Sequence, residues 1–330
     1  SNPDTRLCYC HAPFNSYVNP VSTPSIVQLE CGYCHCCMLD DTGLTWCWGS
    51  NDNGELGIST TDDQSEPVKA SSHANSAAPW LDNVVEIALG NRGMCARTED
   101  ARMYCWGNNQ YAQCGQGHQD NPIKVPALVT VVPVQYMITS IAVGESHACA
   151  ATADDAVLCW GHNNYGQLGD GSTTDAATPV PVPFFDDVAL AQLDGGQHHS
   201  LALCADGTLY SWGRADYGQL GIGVDVGAKA GDFVTAPTRV PVPTTAVGSV
   251  CSGSNHCLAL SRSGAVFAWG YGDMNALGLG TAVDKFEPEK VSFASSLGDK
   301  AEIVVTQVAG GGQHSAVVAS VKQFAPGAGL

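Results

Sequence analysis

Cysteine and histidine recur in this chain at spacings that chemistry uses. The stretch CGYCHCC, Cys31 to Cys37, sets four cysteines and one histidine within seven residues. Cys-x-x-Cys beside His is zinc-ligand chemistry. Three more pairs share one spacing: Cys37 with Cys47, Cys95 with Cys105, and Cys149 with Cys159. Histidines stand at His35, His147, His199, His256 and His314, each three residues after a glycine, while His162 and His198 fall outside that series.

These residues are positioned by a repeat. Trp-Gly pairs begin at Trp48, Trp106, Trp160, Trp212 and Trp269, with steps 106−48=58, 160−106=54, 212−160=52 and 269−212=57. A Gly-x-x-His precedes each pair, except that Gly90 is followed by Gly93 in the second copy. A near copy of Gly-x-Leu-Gly follows each: GELG at Gly54, AQCG at Ala112, GQLG at Gly166 and Gly218, NALG at Asn275. Short runs such as TSIAVG, HACAAT and AVLCWG are separated by Asp-Asp or Asp-Gly turns and read as strands joined by hairpins. A fourth extended piece, such as PVPVP, closes each copy. Nothing sustains a 3.6-residue period. Repeats of four short strands are propeller blades.

The stretch CWGHNNYGQLGDG, Cys159 to Gly171, resembles the repeat signature of the regulator of chromosome condensation family, and the likeness covers nearly the whole chain. The resemblance implies an all-β propeller. That family includes a nucleotide exchange factor for a nuclear GTPase, secreted inhibitors of β-lactamases and a plant ultraviolet photoreceptor. The exchange-factor role conflicts with the disulfides read below. The photoreceptor role conflicts with the tryptophans, of which only Trp46 and Trp80 lie outside Trp-Gly.

Five copies are complete, and a sixth begins at Gly311-x-x-His314 but stops before any Trp-Gly. Leu7-Cys8-Tyr9 stands as Leu158-Cys159-Trp160 does in the third copy. The expectation is therefore six blades, the last closed by the N-terminal strand; seven would need a further, degenerate copy. One domain spans 1–330: closing strand and linker in 1–30, repeats at about 31–84, 85–138, 139–188, 189–247 and 248–302, a partial last blade at 303–322 and a flexible tail at 323–330. There is no initiator Met and no signal peptide, so Ser1 reads as the start of a processed or trimmed chain.

Each of the three spaced cysteine pairs flanks one hairpin turn, so its members face each other across adjacent strands as disulfides. Such bonds imply an oxidising compartment, secreted or at the cell surface. Cys251 and Cys257 flank the turn SGSNH and are expected to pair as well. His35 is the ordinary repeat histidine, so CGYCHCC reads as disulfide rather than zinc, and no metal is expected. Cys114 reads as a buried thiol, and the pairing of Cys8, Cys10, Cys31, Cys34, Cys36 and Cys204 stays open.

The net charge is −18, which argues against nucleic acid and anionic membrane surfaces as partners. No apolar run is long enough to span a bilayer. Histidines that recur once per blade serve the blade, expected to bond backbone in their own turn. No hydrolase elbow, phosphate loop or His-Glu-x-x-His occurs. No catalytic residue and no cofactor is expected. What does not repeat lies in the segments after Gly-x-Leu-Gly, 58–84, 118–138, 172–187, 224–247 and 281–302, expected to emerge on one face. They are acidic and carry Trp80, Phe184, Phe185, Phe233 and Phe286 as expected anchors for a protein partner of basic character. The reading is a non-enzymatic interaction or assembly module. The alternative is a carbohydrate-binding, hydrolytic or lyase propeller with its site on the loop face or in the channel.

Overall fold

The structure, a computed structural model, describes residues 24–71, 80–130, 132, 136–185, 188–225, 229, 231–244, 246–293 and 301–323. Five four-stranded antiparallel sheets follow one another along the chain, each paired in sequence order. The first is β1 (Ile26–Cys31), β2 (His35–Asp40), β3 (Thr45–Gly49) and β4 (Gln64–Lys69); the second is β5 (Val84–Leu89), β6 (Gly93–Thr98), β7 (Met103–Gly107) and β8 (Ile123–Leu128). The third is β9 (Ile138–Val143), β10 (His147–Thr152), β11 (Val157–Gly161) and β12 (Ala176–Pro181). The fourth is β13 (Leu190–Gly195), β14 (His199–Cys204), β15 (Leu209–Arg214) and β16 (Phe233–Arg239); the fifth is β17 (Val247–Ser252), β18 (His256–Ser261), β19 (Val266–Gly270) and β20 (Lys285–Lys290). A sixth sheet pairs only β21 (Ala301–Gly310) with β22 (Ser315–Gln323).

The fold is an all-β propeller, with a correction to the blade count. Five complete blades and one two-stranded sheet are present among the described residues, not six or seven complete blades. Among the described residues no strand follows β22, which ends at residue 323. The closing strand expected at Thr5–His11 lies outside the described residues. The first blade's inner strand starts at Ile26, inside the stretch read as closing strand and linker.

The first strand of each sheet is the innermost, and successive inner strands touch around the axis from β1 to β21. The turns Gly32, Gly90, Gly144, Gly196, Gly253 and Gly311, one from each sheet, line a common opening. Gly312 lies against the Tyr33 ring, so the sixth sheet meets the first blade. The second strands of the third to fifth blades, HACAAT, HSLALC and HCLALS, are buried along their whole length because a neighbouring blade covers each face.

Inner strands leave one backbone edge facing the channel, and side chains from the preceding blade cap it. Gln28 accepts the Ile87 N–H (2.9 Å) and donates to the Ile87 carbonyl (2.7 Å), while Glu30 accepts the Leu89 N–H (3.0 Å). Gln192 does the same at Val250 (3.1 and 2.8 Å), and Asp194 accepts the Ser252 N–H (2.8 Å). Burial, reinforced by the charge of Asp194, pushes Glu30 up to about 8. Burial raises Asp194 to about 7.

Candidate functional site

Repeated residues are consumed by the seams between blades. Four of the five Trp-Gly indoles, all but Trp48, donate to a carbonyl in the preceding blade's Gly-x-Leu-Gly turn: Trp106 to Glu55 (2.9 Å), Trp160 to Gln113 (3.0 Å), Trp212 to Gln167 (2.9 Å) and Trp269 to Gln219 (3.1 Å). The turn's last residue must be glycine, because a Cβ at Gly169, which holds φ +73°, would lie 2.7 Å from the Trp212 Nε1.

The histidines do not bond their own turns. Three of them, His147, His199 and His256, cross to the next blade. His147 Nε2 lies 2.9 Å from Ser200 Oγ, which donates its one proton to the Gln167 carbonyl (2.9 Å). The hydroxyl must then accept from the imidazole, which fixes the Nε2–H tautomer. His256 reaches Ser315 Oγ (3.0 Å), which donates to the Ala276 carbonyl (2.7 Å). His199 reaches Cys257 Sγ (3.1 Å), which donates to the Gln219 carbonyl (3.3 Å). Burial holds His147 and His199 down to about 3, and His35 and His256 to about 4, so all four are neutral at pH 7. The Gly-x-x-His glycine follows from the same packing, since a Cβ at Gly144 would strike the His147 ring.

Disulfides join Cys37–Cys47, Cys95–Cys105, Cys149–Cys159 and Cys31–Cys36. Cys34 is disulfide-bonded too. Cys251 and Cys257 are not joined, which corrects the pairing expected across their turn. Cys251 stands opposite Leu258 and Cys257 opposite Ser252, so they occupy neighbouring register positions and point to opposite faces of the sheet. Cys257 instead takes the place that serine holds in the flanking seams. Cys114 and Cys204 are buried free thiols.

The variable segments do not emerge on one face. Each contains the outer strand, which crosses the blade and carries the chain from one rim to the other. The front face holds the Gly-x-x-His turns and the third-to-fourth strand connections, joined for instance by the Ser50 N–H to the Cys34 carbonyl (2.9 Å). The back face holds the hairpin turns and the links between blades. Trp80 and Phe184 lie on the back, 40% and 44% exposed. Phe185 is fully buried against Trp212, with ring centroids 5.7 Å apart, and is core rather than a partner anchor. Phe233 and Phe286 are in β16 and β20, near the front. The five aromatics therefore form no single surface.

Several loop acids are structural. Asp63, Asp175 and Asp284 accept the backbone N–H of Asn51, Asn163 and Gly272 (2.9, 2.7 and 2.8 Å), always twelve residues back. Asn121 does this for Asn109 (2.8 Å). Buried Asn51, Asn109 and Asn163 bind the same loops from inside, accepting from Leu56, Cys114 and Leu168 and donating to loop carbonyls.

One front-face arc gathers side chains that these duties leave over. Tyr111 stacks on His162 (4.1 Å between centroids), the Arg214 guanidinium lies over both Tyr165 (5.1 Å) and Tyr217 (5.0 Å), and Tyr217 meets Tyr271 edge-on (5.1 Å). Each contact but Arg214–Tyr217 joins one blade to the next. Arg214 pairs with Asp216 (2.7 Å) and His162 with Asp175 (3.1 Å). Beside the arc, a cleft of about 300 Å³ opens between the second, third and fourth blades, lined by Arg92, Tyr111, Glu145 and His198 among others. The signal in the sequence was a tyrosine three residues before the Leu of Gly-x-Leu-Gly, or its Cys114 counterpart, in the second to fourth copies only.

The arrangement suits recognition of a polar surface. Among relatives, the chain is 32% identical over 271 residues to the ultraviolet-B receptor UVR8 of Arabidopsis thaliana, covering 82% of this chain and 58% of that protein's length. It is 30% identical over 325 residues to the human regulator of chromosome condensation, covering 90% of this chain and 71% of that protein. The crystal structure of human WBSCR16 superposes with a TM-score of 0.74 at 22% identity, over 89% of this chain and 72% of that one, a likeness of fold. The model of the RCC1-like domain matches residues 10–317, and with blades, seams and relatives in agreement the chain belongs to the RCC1-like domain family.

Proposed function

We propose that this chain is a non-enzymatic protein-interaction propeller that engages a basic protein partner through its front face. The observation that carries this reading is the braced arc from Tyr111 to Tyr271, made of side chains the blades do not need. Aromatics packed against one another and a doubly packed guanidinium lose little entropy on binding. Exposed acids in the front loops, among them Asp62, Asp120 and Asp225, favour a cationic partner.

The reading includes the compartment. The described disulfides favour an oxidising, extracellular setting.

Capture of partners from the native source at low and high salt tests the binding face. Tyr165→Ser and Tyr217→Ser should lose the partner while Trp80→Ser and Phe184→Ser retain it, and recovery should fall as salt rises, since exposed charges are screened within about 8 Å. Recovery indifferent to both tyrosines would place the interface elsewhere.

A further inference from the structure

We propose that the front-face cleft between the second, third and fourth blades receives an arginine side chain of the protein partner, with Glu145 as its carboxylate. This rests on the front-face reading and names what the surface selects.

The molecule supplies its own precedent one step along the arc. Arg214 is held by the Tyr165 and Tyr217 rings at 5.1 and 5.0 Å and by Asp216 at 2.7 Å. The neighbouring cleft has the same two kinds of group, an aromatic ring from Tyr111 and a carboxylate from Glu145, with the one lining guanidinium, Arg92, at its exposed rim. The residue after Trp-Gly in the third blade is His162, which stacks on Tyr111 but turns its Nδ1 to Asp175.

Glu145 has no hydrogen-bonded cation among the described residues. Its side chain is 21% exposed, and the nearest cationic candidate is His198 Nε2 at 3.7 Å, beyond hydrogen-bond reach. Burial holds His198 below the ordinary imidazole value, with Arg214 acting in the same direction and Glu145 against it. Arg92, the other charged lining residue, is exposed at the rim, where solvent screens it more than it screens the half-buried carboxylate. A volume of about 300 Å³ admits a guanidinium with its stem. A planar guanidinium stacks on a tyrosine and pairs with a carboxylate together, which a lysine ammonium does less well.

The test is a titration of the whole isotope-labelled chain, followed by amide shifts, with Nα-acetylarginine methylamide as probe and its neutral citrulline isostere as control. Shifts should centre on Tyr111, Ser146 and Gln197. The citrulline compound should bind about tenfold more weakly, and Glu145→Gln should cost the arginine probe a similar factor while melting like wild type. Equal binding of the two compounds, shifts centred elsewhere, or arginine binding unaffected by Glu145→Gln would each overturn the proposal. Should partner capture still depend on Tyr165 and Tyr217 in that event, the front-face reading stands without it. Capture indifferent to the front face removes the partner and overturns both.

Discussion

Blades one to three and blades three to six are held together by different means. Inside each of the first three blades a disulfide ties the second strand to the third, and a buried asparagine braces the front loop. Between them the polar relay is missing. His35 has no partner for either ring nitrogen, the residue after Gly93 in the next blade being Met94, which offers no hydroxyl or thiol to accept from it. At the following seam Gly93 has replaced the histidine and Ala148 the hydroxyl. The three seams from the third blade to the sixth sheet each carry the His–Ser or His–Cys relay. The disulfide slots of the fourth and fifth blades hold Leu201 opposite Ser211 and Leu258 opposite Ala268. The same blade geometry thus tolerates covalent bonding within blades or hydrogen bonding between them, and only the third blade has both on its own strands.

The comparison breaks most visibly at the apolar slots. Leu201 is fully buried, and Leu201→Ala should cost about 2–5 kcal/mol in urea unfolding. Replacing Cys149 and Cys159 together by serine should cost about 2–3 kcal/mol, the chain-entropy value for so short a loop. An unchanged midpoint there would show that the third blade's seam relay suffices alone. Ser200→Ala leaves the His147 N–H unpaired and should cost about 1–3 kcal/mol, whereas Ala148→Ser, at a seam with no histidine, should gain nothing comparable. The relay also sets a pH dependence. His147 and His199 titrate near 3 when folded and near 6.5 when unfolded, so the unfolded chain takes up protons first. Their contribution is complete above 6.5 and is lost as pH falls toward 3, and His199→Gln should flatten that acid slope in a pH series of melting temperatures. Smallest of all, Cys257→Ser should stay within about 0.5 kcal/mol of wild type, because serine does the same work at the flanking seams.

The repeat, the strand order and the three equally spaced cysteine pairs were legible because each depends on positions within one blade. Pairing Cys251 with Cys257 failed on parity: the turn between them was visible, the one-residue offset in register was not. The histidine's partner was hidden because Ser200 lies fifty-three residues beyond His147. Loop closure was written as a twelve-residue spacing, obscured by Asn121 in one copy and by a longer loop in the fourth, where Ala215 meets Asp232 through backbone. The arc escaped because tyrosines inside a repeated motif read as repeat, and the two rims merged because one variable segment contains a strand.

The channel clamps carry a consequence of their own. Gln28 with Glu30, and Gln192 with Asp194, sit at seams three blades apart in a ring of six sheets, on opposite sides of the axis. Their carboxylates titrate about 8 and about 7, each above its ordinary value, and Glu30 feels the charge of Asp194. A carboxyl raised in this way stabilises the fold while protonated, and that contribution is lost as pH rises from the ordinary value through the folded one. Once pH rises past both values the propeller therefore carries negative charge at both ends of a diameter, and the two halves of the ring push apart across their own bore: alkali acts on this molecule as an outward pressure on its axle, where acid loosens the joints between its blades.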